Sequence, residues 1–328
     1  MAEMKATRQG YGEALVELGA ANPKVVVLDA DLSKSTMTYM FAEKYPERFF
    51  NMGIAEQNLM CTAGGLSSCG LIPFASTFGV FASGRAYEQI RNTICYAKLN
   101  VKIGGTHGGI TVGEDGATHQ GLEEIALMRA IPNMTVIVPA DAHEAKMATI
   151  AAANYQGPVY LRLGRDKVET VTDYTKTPFE IGKGYLLEDG TDVTIIATGV
   201  MTPIALAAAK ELKAKGISAA VVNLPTIKPL DRAIIHEMAH KTGAIVTCEE
   251  HQIHCGMGSA VCEYLAQHIP TPVKMVAIED KFGESGKPLE LLEAYGLNAK
   301  NIINKVNEVL KLKNSKCPAS AQPVSADL

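Results

Sequence analysis

The chain has 328 residues, a length sufficient for two α/β domains with buried cores, and 47% of its residues are hydrophobic and 20% charged. Its formal net charge of −4 is too small to indicate a nucleic-acid-binding surface, and no segment has the long uncharged apolar run of a membrane span. The first residues lack the apolar core of a signal peptide, and the seven cysteines show no short-range pairing pattern. These features predict a cytoplasmic protein with reduced thiols.

Apolar runs of strand length alternate with longer helical patterns through the first half of the chain. The sequence predicts strands at 25–28, 72–75, 101–104, 135–138 and 159–163, and helices at 7–21, 56–68, 85–97 and 143–153. The strands lack the strict alternation of a half-exposed sheet, so both of their faces are expected to be covered, as in a parallel sheet. This order of elements predicts a doubly wound α/β domain over residues 1–165.

The second half of the chain repeats this pattern after a polar, Thr-rich stretch at residues 166–190, which is predicted to be a linker. Strands are predicted at 193–197, 219–224, 244–248 and 274–278, and a helix at 202–215. They predict a second, smaller α/β domain over residues 191–312. Residues 313–328 are rich in Pro, Ser and Ala without an apolar pattern, which predicts a disordered tail.

Three blocks in the first domain have the composition of a binding site. The first is residues 53–58 (Gly-Ile-Ala-Glu-Gln-Asn), where Glu56 follows a Gly turn at the head of a segment rich in small residues. A partly desolvated carboxylate there can share a proton with a ring nitrogen of a bound heterocycle. Taken alone, Glu56 is better interpreted as a helix-start residue stabilised by the helix dipole, and Ile54 without the neighbouring Glu56 as a core residue.

The second block contains Phe78 and Phe81, which follow a predicted strand and could offer a flat apolar surface to a ring; the alternative is two ordinary core residues. The third block comprises His107 and the octapeptide 113–120 (Gly-Glu-Asp-Gly-Ala-Thr-His-Gln). His107 and His119 could exchange protons with hydroxyl and carbonyl oxygens of a sugar, and Asp115 could bind a sugar hydroxyl. Alternatively, His119 caps a helix that begins near residue 120.

Together the three blocks resemble the pyrimidine-binding domain of transketolase, a thiamine diphosphate enzyme. Residues 193–199, 223–231 and 249–251 (Glu-Glu-His) resemble the family's C-terminal domain, for which we expect packing and dimer support without catalytic residues. The resemblance implies an α/β fold of two domains with mainly parallel, doubly wound sheets. It also implies transfer of a two-carbon ketol unit from a ketose phosphate to an aldose phosphate, as in the pentose phosphate pathway.

The resemblance also implies roles for individual residues. Glu56 would hydrogen-bond the aminopyrimidine of thiamine diphosphate, Ile54 would hold the cofactor bent, and Phe78 and Phe81 would stack on its pyrimidine ring. Asp31 would lie near the thiazolium ring. Further residues are expected to contact the donor and acceptor sugars, namely His107, Asp115 and His119. Gly84 replaces an aromatic residue of many transketolases, so Tyr87 or Arg85 would complete the wall.

Three residues are candidates for the phosphate end of the substrate. Arg8 lies in an Ala-Thr-Arg segment that matches the family, Ser35 follows a predicted strand end, and Arg165 ends the last strand of the first domain. The guanidinium group suits phosphate because it donates two parallel charge-assisted hydrogen bonds. Isolated arginines are otherwise commonly partners in surface ion pairs.

The chain lacks the Gly-Asp-Gly and downstream Asn that carry the metal and the cofactor diphosphate in thiamine enzymes. The resemblance therefore covers the carboxyl-terminal half of the family, as in the smaller subunit of a split transketolase. It implies a separate N-terminal subunit that holds Mg or Ca, a cofactor shared between the two chains, and two copies of each chain. The alternative is a truncated, inactive fragment.

Other interpretations remain open. The deoxyxylulose-phosphate synthase type shares part of the octapeptide but usually has Asp where this chain has His107, and the β chain of 2-oxo acid dehydrogenases lacks the octapeptide. A non-catalytic protein on the same fold would not require Glu56, His107 and His119. A zinc site is a further alternative because soft ligands lie close together in the sequence, although their spacing matches no known finger; they are Cys248, His251, His254 and Cys255.

Overall fold

The structure is a computed structural model that describes residues 4–175 and 178–315. Its first half contains the strands β1 (Met4–Ala6), β2 (Val25–Asp29), β3 (Phe49–Asn51), β4 (Ile72–Phe78), β5 (Lys102–Thr106), β6 (Thr135–Ile137) and β7 (Val159–Arg162). The helices between them are α1 (Thr7–Ala21), α2 (Ser33–Thr36), α3 (Tyr39–Lys44), α4 (Glu56–Ser68), α5 (Tyr87–Gln89), α6 (Glu124–Ala130) and α7 (Ala142–Asn154).

The second half contains the strands β8 (Lys167–Glu169), β9 (Tyr185–Glu188), β10 (Val193–Ala197), β11 (Ala219–Asn223), β12 (Thr226–Lys228), β13 (Ile245–Gln252) and β14 (Val273–Ile278). Its helices are α8 (Met201–Ala214), α9 (Arg232–Thr242), α10 (Met257–His268), α11 (Pro288–Ala294) and α12 (Ala299–Asn314). None of the helices in the described part of the chain combines the length and apolar character needed to span a bilayer.

The strands form two main sheets, and both are mainly parallel. The first has the order β12-β6-β7-β5-β4-β2-β3, in which only β12 runs antiparallel. The second has the order β14-β13-β10-β11-β9, in which only β9 runs antiparallel. Strands β2, β5 and β7 are buried at every residue, because helices cover both faces of the sheet. The expected α/β class is confirmed.

The two halves share a core. One apolar cluster lies on the α4 side of the first sheet and includes Leu59 and Ile94 together with Val222, Ile227 and Met257 of the second half. Strand β12 of the second half also pairs with β6 of the first sheet. The two halves are therefore joined by a continuous apolar core and a shared sheet.

The structure differs from the sequence-based expectations in four places. The helix expected at 85–97 is replaced by the short α5 between two π-helical turns, Phe81–Arg85 and Ile90–Tyr96. Gly84 weakens regular helix formation there, and π turns are frequent at functional sites. The stretch expected to be a linker contains β8, which pairs with β1, and β9, which extends the second sheet as an edge strand. Short edge strands give weak sequence signals because one side of each remains unpaired.

The expected tail at 313–328 also begins differently. Helix α12 continues to Asn314. Its buried face includes Val306 and Val309 and packs against the second sheet. Residues 316–328 lie outside the described residues. The helix expected near residue 120 begins at Glu124, so His119 lies in a loop rather than at a helix cap.

Candidate active site

Glu56 lies at the amino end of α4, at the edge of the first sheet where the parallel strands end. Its side chain is only 2% exposed, and Oε1 accepts a hydrogen bond from Arg85 Nη1 at 2.9 Å. Arg85 itself is 49% exposed, and its guanidinium carbon lies 4.4 Å from the centre of the Phe81 ring. The first turn of a helix favours a negative charge because its N–H groups are unpaired. Glu56 is therefore a buried carboxylate whose cationic partner reaches solvent.

Four aromatic rings gather beside this carboxylate, and we refer to Phe78, Phe81, His107 and His119 as the ring cluster. Phe78 stacks on His107 with the ring centres 3.9 Å apart and on Phe81 at 5.8 Å. His119 meets the edges of Phe78 and Phe81 at 6.1 and 5.5 Å. The cluster combines the end of β4, the first π turn, the end of β5 and the octapeptide. Ligands of such folds bind at this edge of the sheet.

His107 is held as a neutral imidazole. It is 3% exposed, and its backbone has a φ of +57°, a conformation that L residues rarely adopt. Burial, together with the positive charges of Arg8 and Arg165, lowers the pKa of His107 to about 3. Its Nε2 lies 3.4 Å from Arg8 Nη1, which can only donate, so Nδ1 carries the proton and donates to Thr106 Oγ1 at 3.0 Å.

This burial predicts that stability falls in acid. The unfolded chain binds a proton to His107 near pH 6.5, whereas the folded chain does so only near pH 3, so stability is lost as the pH falls below about 6.5. By pH 5 this single group should reduce the free energy of unfolding by about 2 kcal/mol. Urea denaturation of the wild type and of His107→Asn at pH 5 and pH 8 measures how much unfolding free energy each protein loses in acid. An equal pH dependence in both proteins would contradict the prediction.

The two expected phosphate-binding arginines both lie close to His107 of the ring cluster. Arg8 Nη1 donates to the backbone oxygen of Ser35 at 2.7 Å, and its Nε is buried without a hydrogen-bond partner within the described residues. Arg165 donates to Val112 O, and its Nη1 lies 3.8 Å from Asp115 Oδ2. The Arg8 Nε–H group could therefore donate a hydrogen bond to an anionic oxygen of a ligand. Ser35 contacts Arg8 through its backbone oxygen rather than through its hydroxyl group.

The turn that carries Ile54 is tied to the loop that carries Asp31. Asn51 Nδ2 donates to Asp31 Oδ1 at 2.9 Å, and Asn51 Oδ1 accepts from Gly53 N at 3.0 Å. Ile54 is 78% exposed, so its interpretation as a core residue is wrong.

Sequence reasoning missed the residue that holds the loop after β2. Asp29 is fully buried at the end of that strand and accepts hydrogen bonds from Leu32 N, Thr36 Oγ1 and Thr38 Oγ1. Burial raises the pKa of Asp29 despite these bonds. Through these three hydrogen bonds Asp29 fixes the loop that carries Asp31 and Ser35. The only available signal was a carboxylate at the end of an apolar strand, which is not specific.

Cys248, His251, His254 and Cys255 do not gather into a metal site. Both ring nitrogens of His251 are occupied, since Nδ1 pairs with Gln252 O at 2.8 Å and Nε2 accepts from Ala126 N at 3.3 Å. Cys248 is buried and Cys255 exposed. Within residues 4–175 and 178–315, no group of three or more His, Cys, Asp or Glu side chains is arranged to hold a metal ion.

The sequence matches two family models that together span most of the chain. The one described as transketolase, pyrimidine binding domain, matches residues 3–170, and the one described as transketolase, C-terminal domain, matches residues 182–302. The chain belongs to the transketolase family. The first of these domains implies thiamine diphosphate as the cofactor of the family.

Several relatives are similar over nearly the whole chain. A protein of Methanocaldococcus jannaschii with the provisional name transketolase C-terminal section is 52% identical over 309 residues, covering 94% of this chain and 97% of that protein. A 6-deoxy-6-sulfo-D-fructose transketolase subunit of Clostridium sp. strain MSTE9 is 40% identical over 307 residues, covering 94% and 95%. A solved structure described as a split gene transketolase, inactive β4 tetramer, matches with a TM-score of 0.89 and 57% identity, covering 94% and 99%.

In longer family members, the segment similar to this chain makes up only part of the protein. The 1-deoxy-D-xylulose-5-phosphate synthase of Symbiobacterium thermophilum is 36% identical over 315 residues, which cover 95% of this chain but 48% of that enzyme. Together with the relatives named as a C-terminal section and as a split gene product, this confirms the resemblance to the C-terminal half of transketolase in a split arrangement.

Proposed function

We propose that this chain is the smaller subunit of a two-chain, thiamine diphosphate-dependent transketolase that transfers a two-carbon ketol unit between sugar phosphates. The observation that carries the proposal is a buried carboxylate, Glu56, beside the ring cluster at the ligand-binding edge of the first sheet. The family models and the relatives support the same reaction class. The cellular setting would be the cytoplasm and the pentose phosphate pathway.

The residues present fit the organic part of thiamine diphosphate. A pyrimidine ring needs a flat aromatic partner and a carboxylate at its nitrogen, and both Phe81 and Glu56 contact the guanidinium group of Arg85. Ile54 would support the bent cofactor from the exposed side, and Asp31 would approach the thiazolium ring. When bound, the cofactor supplies the nucleophilic carbon for carbon–carbon bond cleavage and formation.

The protein residues would bind the sugars and move protons. Glu56 would hold the proton shared with the ring nitrogen of the pyrimidine. His119, in its loop, would exchange a proton with a substrate hydroxyl, whereas the neutral His107 would act through hydrogen bonds, because its pKa of about 3 keeps it uncharged. Asp115 would bind a sugar hydroxyl. The phosphate end would be bound by residues around the ring cluster, namely Arg8, Ser35 and Arg165.

A companion chain would complete the site. It would hold Mg or Ca and the diphosphate of the shared cofactor, in an assembly of two copies of each chain. The similar split-gene structure, which is described as inactive in a β4 tetramer, supports the view that one type of chain is insufficient. In this chain, residues 1–165 would form the pyrimidine-binding domain, 166–190 a connection that contains β8 and β9, and 191–312 the C-terminal domain, whose last helix runs on to Asn314.

Reconstitution tests the proposal. The chain, the companion carrying Gly-Asp-Gly, and their mixture are each assayed with thiamine diphosphate, Mg, a ketose phosphate donor and an aldose phosphate acceptor. Ketol transfer is expected in the mixture alone, because neither chain holds both ends of the cofactor. Transfer by this chain without a companion, or no transfer by a stable mixture, would refute the proposal.

A deoxyxylulose-phosphate synthase subunit is the second candidate, because a synthase of this type is 36% identical to the chain. That reaction joins pyruvate to an aldose phosphate with release of carbon dioxide. The same mixture is therefore assayed with pyruvate in place of the ketose donor. Carbon dioxide release with pyruvate, and no transfer from a ketose phosphate, would favour the synthase.

Arg85 is expected to compete with the cofactor for the site. Its guanidinium group covers the Phe81 ring and pairs with Glu56, so a pyrimidine that stacks on Phe81 must displace it. Removing the half-exposed guanidinium group, with its ion pair to Glu56 and its cation–π contact, should strengthen cofactor binding by the reconstituted pair roughly threefold to tenfold. Titration calorimetry compares Arg85→Gln with the exposed control Arg91→Gln. Weaker binding by Arg85→Gln would instead make Arg85 part of the pocket wall.

A further inference from the structure

The Glu-Glu-His segment near the end of β13 divides its side chains between the two halves of the protein. Glu249 stays within its own half, because its carboxylate accepts hydrogen bonds from Met257 N and Gly258 N, both at 2.7 Å, and so caps α10. Glu250 faces the first half of the chain. The adjacent carboxylates thus have separate partners, which allows their contributions to be separated experimentally.

Glu250 is buried at the junction of the two halves. It is 3% exposed, and its Oε1 accepts a hydrogen bond from Thr111 N at 2.7 Å. Its Oε2 lies 3.5 Å from Arg162 Nη1, and Arg162 Nη2 donates to the Glu250 backbone oxygen at 2.7 Å. Arg162 in turn donates through Nε to Glu124 Oε1 at 2.6 Å. The Glu250 carboxylate is therefore fixed in place on one side by a buried arginine and bound to a loop amide on the other.

The loop bound in this way carries the candidate sugar-binding residues. Thr111 lies four residues after His107 and two residues before the start of the octapeptide with Asp115 and His119. Gly109 has a φ of +91°, and a Cβ there would overlap the Glu250 carboxylate, so the loop backbone lies directly against it. Any shift of that carboxylate would move the backbone between His107 and the octapeptide.

A second contact with the C-terminal half fixes the far end of the same loop. The Gln120 amide nitrogen donates to Ile110 O and Gly113 O, both at 3.2 Å, and to Glu284 O at 2.9 Å. A Cβ at Gly116 would overlap Ser285 Oγ, so the octapeptide also lies against residues 284–286. The second half therefore holds the loop at both of its ends.

We propose that Glu250 is a positioning residue. Through it, the second half of the chain holds His107, Asp115 and His119 in place relative to Glu56. This gives the second half a role in catalytic geometry, beyond the packing and dimer support expected from the sequence. The inference rests on the proposed function, since the positioned residues are those that would bind the sugars. A displacement of about 1 Å in such residues can lower a rate about 100-fold.

The first test measures Glu250→Gln in the reconstituted two-chain enzyme against the matched control Glu249→Gln. Glutamine keeps the size of the side chain but has a single acceptor oxygen. Its NH2 group must therefore face either Arg162 Nη1 or Thr111 N, and both of these can only donate. We expect kcat to fall roughly 10- to 100-fold while the dissociation constant of the cofactor stays unchanged, because Glu56 and Phe81 are untouched. Glu249→Gln weakens a helix cap and should lower the melting temperature without this fall in kcat.

The second test does not require activity. Amide hydrogen exchange of residues 108–121 in the isolated chain is expected to accelerate in Glu250→Gln and to stay unchanged in Glu249→Gln, which should affect residues 257–268 instead. Equal losses of kcat in both variants, or unchanged exchange at 108–121 in Glu250→Gln, would overturn the proposal. If Glu250→Gln does not fold, Glu250→Asp keeps the charge but withdraws it from Thr111, and the same outcomes apply.

The two experiments separate this inference from the proposed function. A wild-type pair without ketol transfer would refute the proposed function, and the exchange measurement would still decide whether Glu250 holds the loop. Ketol transfer by the wild type with normal kcat in Glu250→Gln would keep the proposed function and overturn the inference.

Discussion

Replacing Glu56 with glutamine is expected to lower ketol transfer by the reconstituted enzyme at least about 100-fold, since a positioned proton-transfer group contributes roughly 100- to 10,000-fold. The carboxylate is 2% exposed and lies beside the ring cluster, where it would share a proton with the cofactor ring. Glutamine has almost the same shape and can still accept a hydrogen bond from Arg85, but it cannot accept a proton. The chain should therefore fold and assemble while losing its chemistry.

The matched control is Glu88→Gln in α5, a solvent-exposed carboxylate that bonds only to the neighbouring Gln89 among the described residues. Both variants are compared with the wild type for kcat at saturating cofactor, and for assembly with the companion by size-exclusion chromatography. Glu88→Gln should retain wild-type values in both measurements. Turnover by Glu56→Gln above about a tenth of the wild-type rate would remove Glu56 from its proposed role.

Removal of the Glu144 side chain is expected to cost about 3 kcal/mol or more of unfolding free energy, because it leaves several buried donors without an acceptor. Glu144 is fully buried in α7 and accepts hydrogen bonds from Ala140 N at 2.6 Å, from Asn223 Nδ2 at 2.7 Å and from the Tyr174 hydroxyl. Asn223 ends β11, so this carboxyl joins the two halves of the chain. Denaturant unfolding of Glu144→Ala measures the loss.

The same group should make stability depend on pH in the direction opposite to His107. Burial raises the pKa of Glu144 from 4.5 to about 7, so the folded chain retains a proton that the unfolded chain releases. The stabilisation by this group is fully present below about pH 4.5 and is lost as the pH rises through about 7. Unfolding at pH 5 and pH 8 should show this loss in the wild type but not in Glu144→Gln.

An exposed glutamate provides the control for Glu144→Ala. Glu17 pairs with Lys146 of α7 at 2.5 Å and is 54% exposed, so Glu17→Ala should change the unfolding free energy by less than about 1 kcal/mol. A loss for Glu144→Ala as small as that for Glu17→Ala would show that the buried donors find other partners.

The elements that sequence reasoning located best are those whose signal is local. The predicted bounds of helices α1 and α4 and of strand β10 coincide with the observed ones, because each is a continuous run of residues whose pattern is read from the sequence alone. The segment at 85–97 was predicted wrongly as a regular helix because a π turn leaves the apolar spacing nearly unchanged. Strand β12 could not be foreseen, since its partner β6 lies far away in the chain.

The sequence by itself determined the α/β class, the transketolase resemblance and the identity of the residues around Glu56, because fold class follows from apolar periodicity and the motifs are contiguous. Only the tertiary structure decided that Ile54 is exposed, that Arg85 covers Phe81, that His107 is neutral and that Glu250 reaches the site loop. Each of these depends on burial or on side-chain contacts that follow from the path of the folded backbone. The Glu250 contact in addition arises from how the two halves pack, which no local pattern encodes.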